Sequence, residues 1–414
     1  MTTTEQREHS DEVLSVLSQI DDLLPTLRKR AQETEDLRRL PDATVAELQE
    51  IGFFKLLQPS QWGGYEAAPT TFYEAVRRLG SACGSTGWVA SIIGVHNWHL
   101  ALFDQQAQEE VWGDDTNVRV SSSYAPMGAG VVTDAGDGYL VNGSWNWSSG
   151  CDHATWAFLG GPVIKDGRPV DFGSFLIPRT EYRIDDVWNV VGLRGTGSNT
   201  VVVKDVFVPK HRFLSYKKMN DQTAGGYQTN TAPVYKMPWG TMHPTTITAP
   251  IMGMAYGAYD AHVEAQGKRV RAAYAGEKAK DDPFTKVRVA EAASDIDAGW
   301  RQLIGNVGDE YALIAAGRRF PSSCVPRRGA TRYVPPAGRS PRSTCSLRTP
   351  APPHCRTTLR CSVSGVTLTP AACTRPMTQS GLTRFGVITP LSCPPPTQWF
   401  RPGLGRVLRR AVRP

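Results

Sequence analysis

The sequence predicts an α+β protein in which a β-rich domain lies between two helical regions. Apolar residues recur at helical spacing up to residue 116, alternate with polar residues over 117–212, and return to helical spacing over 213–317. We therefore expect an N-terminal helical domain (1–116), a central β-barrel (117–212) and the start of a C-terminal helical bundle (213–317). Residues 318–414 follow neither period and form a separate tail in the sequence.

The N-terminal region is predicted to contain four helices. Apolar positions from Val13 to Leu27 lie at helical spacing, and Pro41-Asp42 begins a second helix that Gly52 ends. Two further helices are expected over 72–79 and 85–103. The second of these is apolar nearly all round, which indicates a buried helix.

In the central region apolar and polar residues alternate with a period of two, and Gly, Asp and Pro interrupt this alternation. Asn142-Gly143 predicts a two-residue hairpin turn. Helical spacing returns over 247–270 and 287–316, where the bundle begins. The predicted strands lie near residues 118–120, 130–132, 139–141, 156–158, 172–177 and 200–208.

The formal charge of +7 does not describe the body of the chain. Residues 318–414 contain 17 Arg and no Lys, Asp or Glu, so residues 1–317 hold 29 basic and 39 acidic residues. The body is acidic, and we expect no nucleic-acid partner for it. The eight cysteines form no CxxC pair, and the HxxH of His96 and His99 has no obvious carboxylate partner, so no metal site is expected.

Neither a secretory signal nor a membrane span is predicted. Residues 1–12 lack an apolar core, and the apolar run over 88–95 is too short to cross a bilayer. We therefore expect a cytoplasmic protein. No GxGxxG motif follows a predicted strand, which argues against a Rossmann unit for NAD(P)H.

Residues 137–156 combine large rings with small hydroxyl side chains. Trp145 and Trp147 flank Asn146 and are followed by Ser148-Ser149-Gly150. Rings supply apolar contact and hydroxyls pair with the edge of a ligand, so this stretch suits a planar ligand. A sheet core followed by a serine turn explains the same residues equally well.

Three motifs, in this order, resemble the acyl-CoA dehydrogenase fold. They are the Pro59–Gly64 turn, the DGYxxNG segment Asp137–Gly143, and the segment from Gly192 to Pro209 that begins GLRGTGSNT. The resemblance covers roughly residues 10–317. It implies a helical domain, a central barrel and a helical bundle, of which the last is incomplete in this chain.

Three other segments, Gly84–Trp88, Gly94–His99 and Trp145–Gly150, indicate one branch of that fold. They resemble oxygenase components of two-component flavin monooxygenases that hydroxylate phenols, above all those acting on a phenolic secosteroid in actinobacterial cholesterol breakdown. The resemblance implies that FMNH₂ arrives from a separate NAD(P)H-dependent reductase and reacts with O₂. The flavin C4a-hydroperoxide so formed would hydroxylate the ring ortho to the phenol. A homotetramer with flavin sites at subunit interfaces is also implied.

The same resemblance assigns residues around the flavin ring. Trp88, Tyr124 and Trp147 are expected to form walls beside the isoalloxazine. Ser148 or Ser149 is expected to hydrogen-bond its N5 and O4 edge. These roles need flat apolar surfaces and short hydroxyl side chains, and the residue types match.

Four more residues receive roles from the resemblance. Ser122 and Ser123 are expected at the pyrimidine edge of the flavin or at the substrate hydroxyl. His96 is expected near the substrate phenol, where a neutral imidazole can accept its proton; a core histidine of an apolar helix is the alternative. Arg269 is expected to meet the flavin phosphate from a neighbouring subunit, and a solvated basic helix face is the alternative.

Two other functions are consistent with parts of the sequence. One is an acyl-CoA dehydrogenase-like flavin oxidoreductase, which would hold FAD and be reduced by an acyl-CoA. The other is a nucleic-acid-binding module that uses the arginines of the tail, for which steep salt dependence would be diagnostic.

The tail, residues 318–414, departs from the resemblance and contains 16 of the 30 prolines. A single-nucleotide frame shift explains this composition. Shifted codons over Ser364–Thr383 are compatible with FWRDAHAGRVHAANDPERAY, which resembles the C-terminal helix of the family. Cys373-Thr374 then replace the histidine that the resemblance makes the catalytic base or a residue close to the flavin. Because the last bundle helices are missing, we expect the chain as written to be unstable or inactive.

Overall fold

A computed structural model of the chain describes residues 3–124, 131–271 and 277–318. The helices predicted from apolar spacing are present, and α5 is an addition that the sequence pattern did not indicate. The tail from residue 319 onward, including the predicted frame-shifted segment, lies outside the described residues. The N-terminal helices are α1 (Thr3–Leu37), α2 (Asp42–Glu50), α3 (Pro69–Ala82), α4 (Gly84–Leu100) and α5 (Gln105–Trp112).

The helix α4 is buried on almost all sides, as its composition predicts. It packs against α3, against a strand of the sheet and against a long C-terminal helix. A Cβ added at Gly94 would lie only 2.6 Å from the ring of Phe72, so a glycine is needed where α3 and α4 cross. This close packing fixes α4 as a central helix of the described part of the chain.

The central region forms a mixed sheet of eight described strands. The hydrogen-bonded order is β6-β7-β3-β2-β4-β5-β8, and β1 pairs with β4. Both β1 and β2 run parallel to β4, whereas the other pairs are antiparallel. The strands are β1 (Val120–Ser123), β2 (Val131–Asp134), β3 (Gly138–Ser148), β4 (Trp156–Lys165), β5 (Arg168–Pro178), β6 (Arg183–Asp185), β7 (Asn199–Pro209) and β8 (Phe213–Ser215).

The hairpin turn predicted at Asn142-Gly143 is wrong, because both residues lie inside β3. The pairing of β3 with β7 shifts register between Val141 and Gly143, which marks a bulge. The Asn142 side chain accepts a hydrogen bond from the backbone N–H of Asp205 across this bulge (2.7 Å). A bulge and a hairpin turn favour the same residue types, so the local pattern did not distinguish them.

The C-terminal part consists mainly of two long helices. They are preceded by the short helices α6 (Tyr216–Asn220) and α7 (Gly226–Thr229). The helix α8 spans Trp239–Lys268 and α9 spans Pro283–Ala315, with a small ladder of β9 (Val270–Arg271) and β10 (Glu277–Lys278) between them.

The helix α8 begins earlier than the sequence pattern predicted. It continues through Pro244 and Pro250, residues that normally interrupt a helix. Close packing on α3 compensates for the two prolines. The helices approach so closely that a Cβ added at Gly253 would overlap the carbonyl oxygen of Arg77. Tertiary packing therefore holds the N-terminal half of α8 in helical form beside α4.

The two tryptophans of β3 have different environments. Trp145 is fully buried in the core of the sheet, and its indole N–H donates to the carbonyl of Gly160 (2.8 Å). Trp147 is 56% exposed. The sheet-core interpretation thus applies to Trp145, while Trp147 is available to a ligand.

Candidate active site

A cavity of about 540 Å³ lies where α4, β1, β3 and α8 approach the segment 188–198. Pockets for cofactors and drug-sized ligands are typically about 300–1,000 Å³. Its wall is mainly aromatic and aliphatic, with hydroxyl groups and one imidazole among them. The lining residues are Trp88, Ile92, Ser122, Ser123, Tyr124, Asn146, Trp147, Ser149, Trp188, Val190, Gly192, Leu193, Thr196, Ser198, His243 and Ile247.

Trp88 connects α4 to the turn that follows β3. Its indole N–H donates to the Ser149 hydroxyl at 3.1 Å. Gly150 adopts a left-handed φ of 70°, which turns the chain back towards α4, and a Cβ there would meet Val89 at 2.9 Å. The flat face of the indole and the Ser149 hydroxyl therefore share one wall of the cavity.

A chain of hydroxyl groups continues from Ser149. The Ser149 and Ser198 hydroxyls are 2.7 Å apart, and so are those of Ser198 and Thr196. Thr196 donates its proton to the carbonyl oxygen of Leu193, which can only accept. The chain therefore has one direction, in which Ser149 donates to Ser198 and Ser198 donates to Thr196.

This direction determines what the hydroxyls offer to a ligand. Every proton of the chain is used internally, so Ser149 presents an acceptor lone pair to the cavity. A ligand N–H or O–H group at this wall would be matched, whereas a ligand acceptor would not.

Glu35 of α1 holds the segment that contains Leu193 and Thr196, where the chain of hydroxyl groups ends. The carboxylate accepts hydrogen bonds from the backbone N–H groups of Arg194 (2.9 Å) and Gly195 (3.4 Å). Leu193 has a left-handed φ of 58°. These contacts fix the backbone that places Leu193 and Thr196 on the cavity wall.

Trp147 is in an unusual backbone conformation for a bulky residue. Its φ is 63°, in the left-handed region, and it lies where the pairing of β3 with β7 shifts register. Strain of this kind persists where the surroundings over-determine it, often at ligand sites. Here the Trp147 side chain lines the same cavity as Trp88.

Tyr124 follows β1 and lines the cavity. Its hydroxyl lies 2.8 Å from Nδ1 of His99, which is buried in α4. Burial raises the pKa of Tyr124 well above its ordinary value, so the hydroxyl keeps its proton. The neighbouring Ser123 donates to the carbonyl of Asn146 (2.7 Å), which joins β1 to β3 beside the cavity.

Three of the residues assigned from the sequence do not line the cavity. His96 is fully buried; its Nδ1–H donates to the carbonyl of Val120, and its Nε2 lacks a partner among the described residues. Ser148 is also fully buried. Arg269 is exposed at the end of α8, consistent with a contact that requires another subunit. The roles proposed for these three residues stay predictions.

The other six assigned residues meet at the cavity, and the structure adds several that the sequence did not indicate. Trp88, Tyr124, Trp147 and the serines Ser122, Ser123 and Ser149 all line it. The additions include Thr196 and Ser198, which lie within the segment used for the resemblance, and His243, which precedes the predicted start of its helix.

The described residues contain no group of three or more His, Cys, Asp or Glu side chains that could hold a metal ion. Within the same ranges no helix is long and apolar enough to span a bilayer.

Comparison with known proteins identifies the family. Family models for the N-terminal and C-terminal domains of acyl-CoA dehydrogenase match residues 6–115 and 245–334. The flavin-dependent monooxygenase oxygenase subunit HsaA of Mycobacterium tuberculosis (strain ATCC 25618 / H37Rv) is 77% identical over 321 residues, or 78% of this chain and 80% of that protein. This chain belongs to the oxygenase subunits of flavin-dependent monooxygenases. HsaA of Rhodococcus jostii (strain RHA1) is likewise 77% identical over 305 residues, or 74% of this chain and 79% of that protein.

Solved structures support the same family and fold. The crystal structure of the HsaA monooxygenase from M. tuberculosis has a TM-score of 0.71 and 75% identity, and the match covers 75% of this chain and 80% of that one. XiaF from Streptomyces sp., in complex with FADH2 and glycerol, has a TM-score of 0.69 at 26% identity over 78% of this chain and 81% of that one. The predicted acyl-CoA dehydrogenase-like fold and oxygenase activity are confirmed.

Membership of this family fixes the class of cofactor and one partner. These oxygenase subunits use reduced flavin and O₂, and a separate reductase supplies the flavin. The cavity fits that cofactor because it offers two tryptophan faces for a flat ring system and a hydroxyl edge for its polar rim. Ser149 and Ser198 would meet the rim, while Trp88 and Trp147 would contact the ring faces.

Proposed function

We propose that this oxygenase subunit hydroxylates a phenolic secosteroid ortho to its hydroxyl group, within steroid breakdown. The observation that supports this substrate is the 74% identity to the crystal structure of 3-HSA hydroxylase from Rhodococcus sp. RHA1, which covers 74% of this chain and 78% of that one with a TM-score of 0.71. A cavity of about 540 Å³ leaves room for a bulky ligand beside a flavin ring.

The residues of the site have distinct tasks in this proposal. Bound reduced flavin supplies the electrons that activate O₂. Trp88 and Trp147 hold its ring system, and the acceptor lone pair of Ser149 matches the N5–H group that only the reduced ring carries. The aromatic and aliphatic wall excludes water from the reacting atoms.

Further assignments from the sequence belong to the same proposal. Ser122 and Ser123 contact the flavin rim or the substrate hydroxyl, Ser148 supports the N5 edge, and His96 acts near the phenol. We also propose FMN as the preferred flavin and a cytoplasmic homotetramer in which Arg269 of one subunit meets the flavin phosphate of another.

The test is a reconstituted hydroxylation. The purified protein, with its reading frame restored, is mixed with a flavin reductase, NADH, FMN and a secosteroid phenol under air, and the product is identified by mass spectrometry and NMR. Incorporation of one oxygen atom at the ortho carbon supports the proposal. Reduction of a tightly held FAD by an acyl-CoA, without hydroxylation, would instead favour the dehydrogenase-like alternative.

A further inference from the structure

His243 is the imidazole that faces the cavity, and neither the sequence motifs nor the family assignment singled it out. It lies in the first turns of α8, stacked on Trp239 with ring centroids 4.6 Å apart and an interplanar angle of 20°. Its ring also meets Tyr124 edge-to-face at 5.0 Å. No hydrogen bond of His243 is found among the described residues, so its ring nitrogens are available to a ligand.

The hydroxyl of Tyr124 is directed by His99. The Nε2 atom of His99 is buried without a partner among the described residues, and Nδ1 faces the Tyr124 oxygen at 2.8 Å. A buried N–H without an acceptor is rarer than a buried acceptor without a donor, so the proton of His99 belongs on Nδ1. His99 then donates to Tyr124, whose hydroxyl also lies beside that of Ser122, so the proton of Tyr124 goes to an acceptor other than His99.

The two side chains therefore offer complementary groups at one place in the cavity. Tyr124 offers a proton donor, and His243 offers an acceptor nitrogen. Burial lowers the pKa of His243 to about 4, so the ring is neutral near neutral pH and keeps that acceptor. A phenol needs this pair, because its oxygen both accepts and donates one hydrogen bond.

We propose that His243 and Tyr124 form the recognition site for the phenol group of the substrate, with Tyr124 donating to the phenol oxygen and His243 accepting the phenol proton. This inference rests on the proposed function, since it concerns the phenol that the oxygenase would hydroxylate. A hydrogen bond from the phenol to His243 places negative charge on the phenol oxygen and enriches the ortho carbon in electrons. His99 acts as a positioning residue through Tyr124.

The position of this pair agrees with the polarity of the rest of the cavity. On another stretch of the lining, Ser149 donates to Ser198, Ser198 donates to Thr196 and Thr196 donates to the carbonyl of Leu193, so these hydroxyls offer acceptors alone. Those hydroxyls suit a ligand N–H group. The pair formed by His243 and Tyr124 suits a ligand group that both donates and accepts a hydrogen bond. The two parts of the lining can therefore hold flavin and phenol without competition.

The experiment compares two ligands that differ only at the phenol oxygen, which bears a hydrogen in one and a methyl group in the other. Estrone, which has a phenolic A-ring, and its methyl ether are titrated into the 414-residue protein and followed by tryptophan fluorescence. The ether has no proton for His243 and is otherwise similar in shape. We expect the wild-type protein to bind estrone more tightly than the ether, and His243→Phe to reduce that preference about 3- to 10-fold.

Matched variants separate hydrogen bonding from packing. His243→Phe keeps a flat ring on Trp239, His243→Gln restores an acceptor and should recover part of the preference, and Tyr124→Phe should weaken both ligands because each oxygen accepts its proton. His262→Phe is the control, since His262 is exposed on the same helix. Thermal melting of each variant verifies that it is folded.

The result that overturns the inference is an unchanged preference for estrone over its ether in both His243 variants. Hydroxylation is measured separately, so the two proposals fail separately. A frame-restored protein that discriminates through His243 but does not hydroxylate contradicts the proposed function alone. A protein that hydroxylates and loses no discrimination in the variants contradicts this inference alone.

Discussion

The indole N–H of Trp88 donates to the Ser149 hydroxyl across 3.1 Å, and this bond joins the buried helix α4 to the turn after β3. Both side chains face the cavity. The buried helix α4 and the serine turn after β3 thus form one wall of the cavity.

Replacing Ser149 by Ala should weaken the binding of reduced flavin more than that of oxidised flavin. The Ser149 oxygen presents an acceptor, which matches the N5–H of the reduced ring and not the unprotonated N5 of the oxidised ring. We expect the affinity for reduced FMN to fall about 3- to 10-fold. Anaerobic titration of reduced FMN and aerobic titration of FMN measure the two affinities.

The control for Ser149 is Ser60→Ala, because Ser60 is exposed and far from the lining residues in the sequence. It should alter neither affinity. An equal loss for both forms of the flavin in Ser149→Ala would contradict the direction assigned to the hydroxyl chain.

Trp147→Gly should separate ligand binding from stability. Glycine adopts the φ of 63° without strain, and the indole is 56% exposed, so the free energy of unfolding should change by no more than about 1 kcal/mol. Flavin affinity should fall because one wall of the cavity is lost. Chemical denaturation and flavin titration measure the two effects, with Trp147→Phe as the variant that keeps a ring. A large loss of stability together with normal flavin binding would contradict this interpretation of the strained residue.

The stability of the fold should decrease as the pH falls below about 6.5, the ordinary pKa of histidine. Burial lowers the pKa of His96 to about 3 and that of His243 to about 4, and it lowers the pKa of His99 as well. The unfolded chain therefore binds more protons than the folded chain in this acid range. Stability rises with pH there, by up to about 1.4 kcal/mol per pH unit for each histidine.

Urea denaturation at several pH values measures this slope. His243→Gln should make the slope shallower by the contribution of one group. A slope that is equal in the wild-type protein and in this variant would show that His243 does not change its protonation on unfolding.

The chain as written should be less stable and less active than a version with the reading frame restored. Phe284 and Val287 on α9 are 74% and 55% exposed, and Ile251 on α8 is 48% exposed, which leaves apolar surface for the missing helices to cover. Resequencing of the coding DNA around Ala316–Phe320 comes first. Binding of an apolar dye and hydroxylation of the phenol then compare the two proteins. Hydroxylation by the 414-residue chain at the rate of the restored version would contradict the prediction.

The order of helical and β regions could be predicted from the sequence because it depends on local periodicity. α4 shows this well, since its apolar residues on every side required burial, and the structure buries them. The turn predicted at Asn142-Gly143 was wrong because the choice between a turn and a bulge depends on the partner strand β7. The short strands β6 and β8 were missed because three residues hold too little pattern.

The sequence by itself determined the family, the cofactor class and six of the residues that line the cavity. The family, the cofactor class and these six residues could be predicted because motifs consist of particular residue types in a fixed order along the chain. Only the tertiary structure decided that Trp145 is core while Trp147 faces the cavity, and that His243 stands opposite Tyr124. His243 precedes Pro244, which argues locally against a helix, and packing of α8 on α3 overrides that preference. Contacts between residues distant in sequence therefore completed the site.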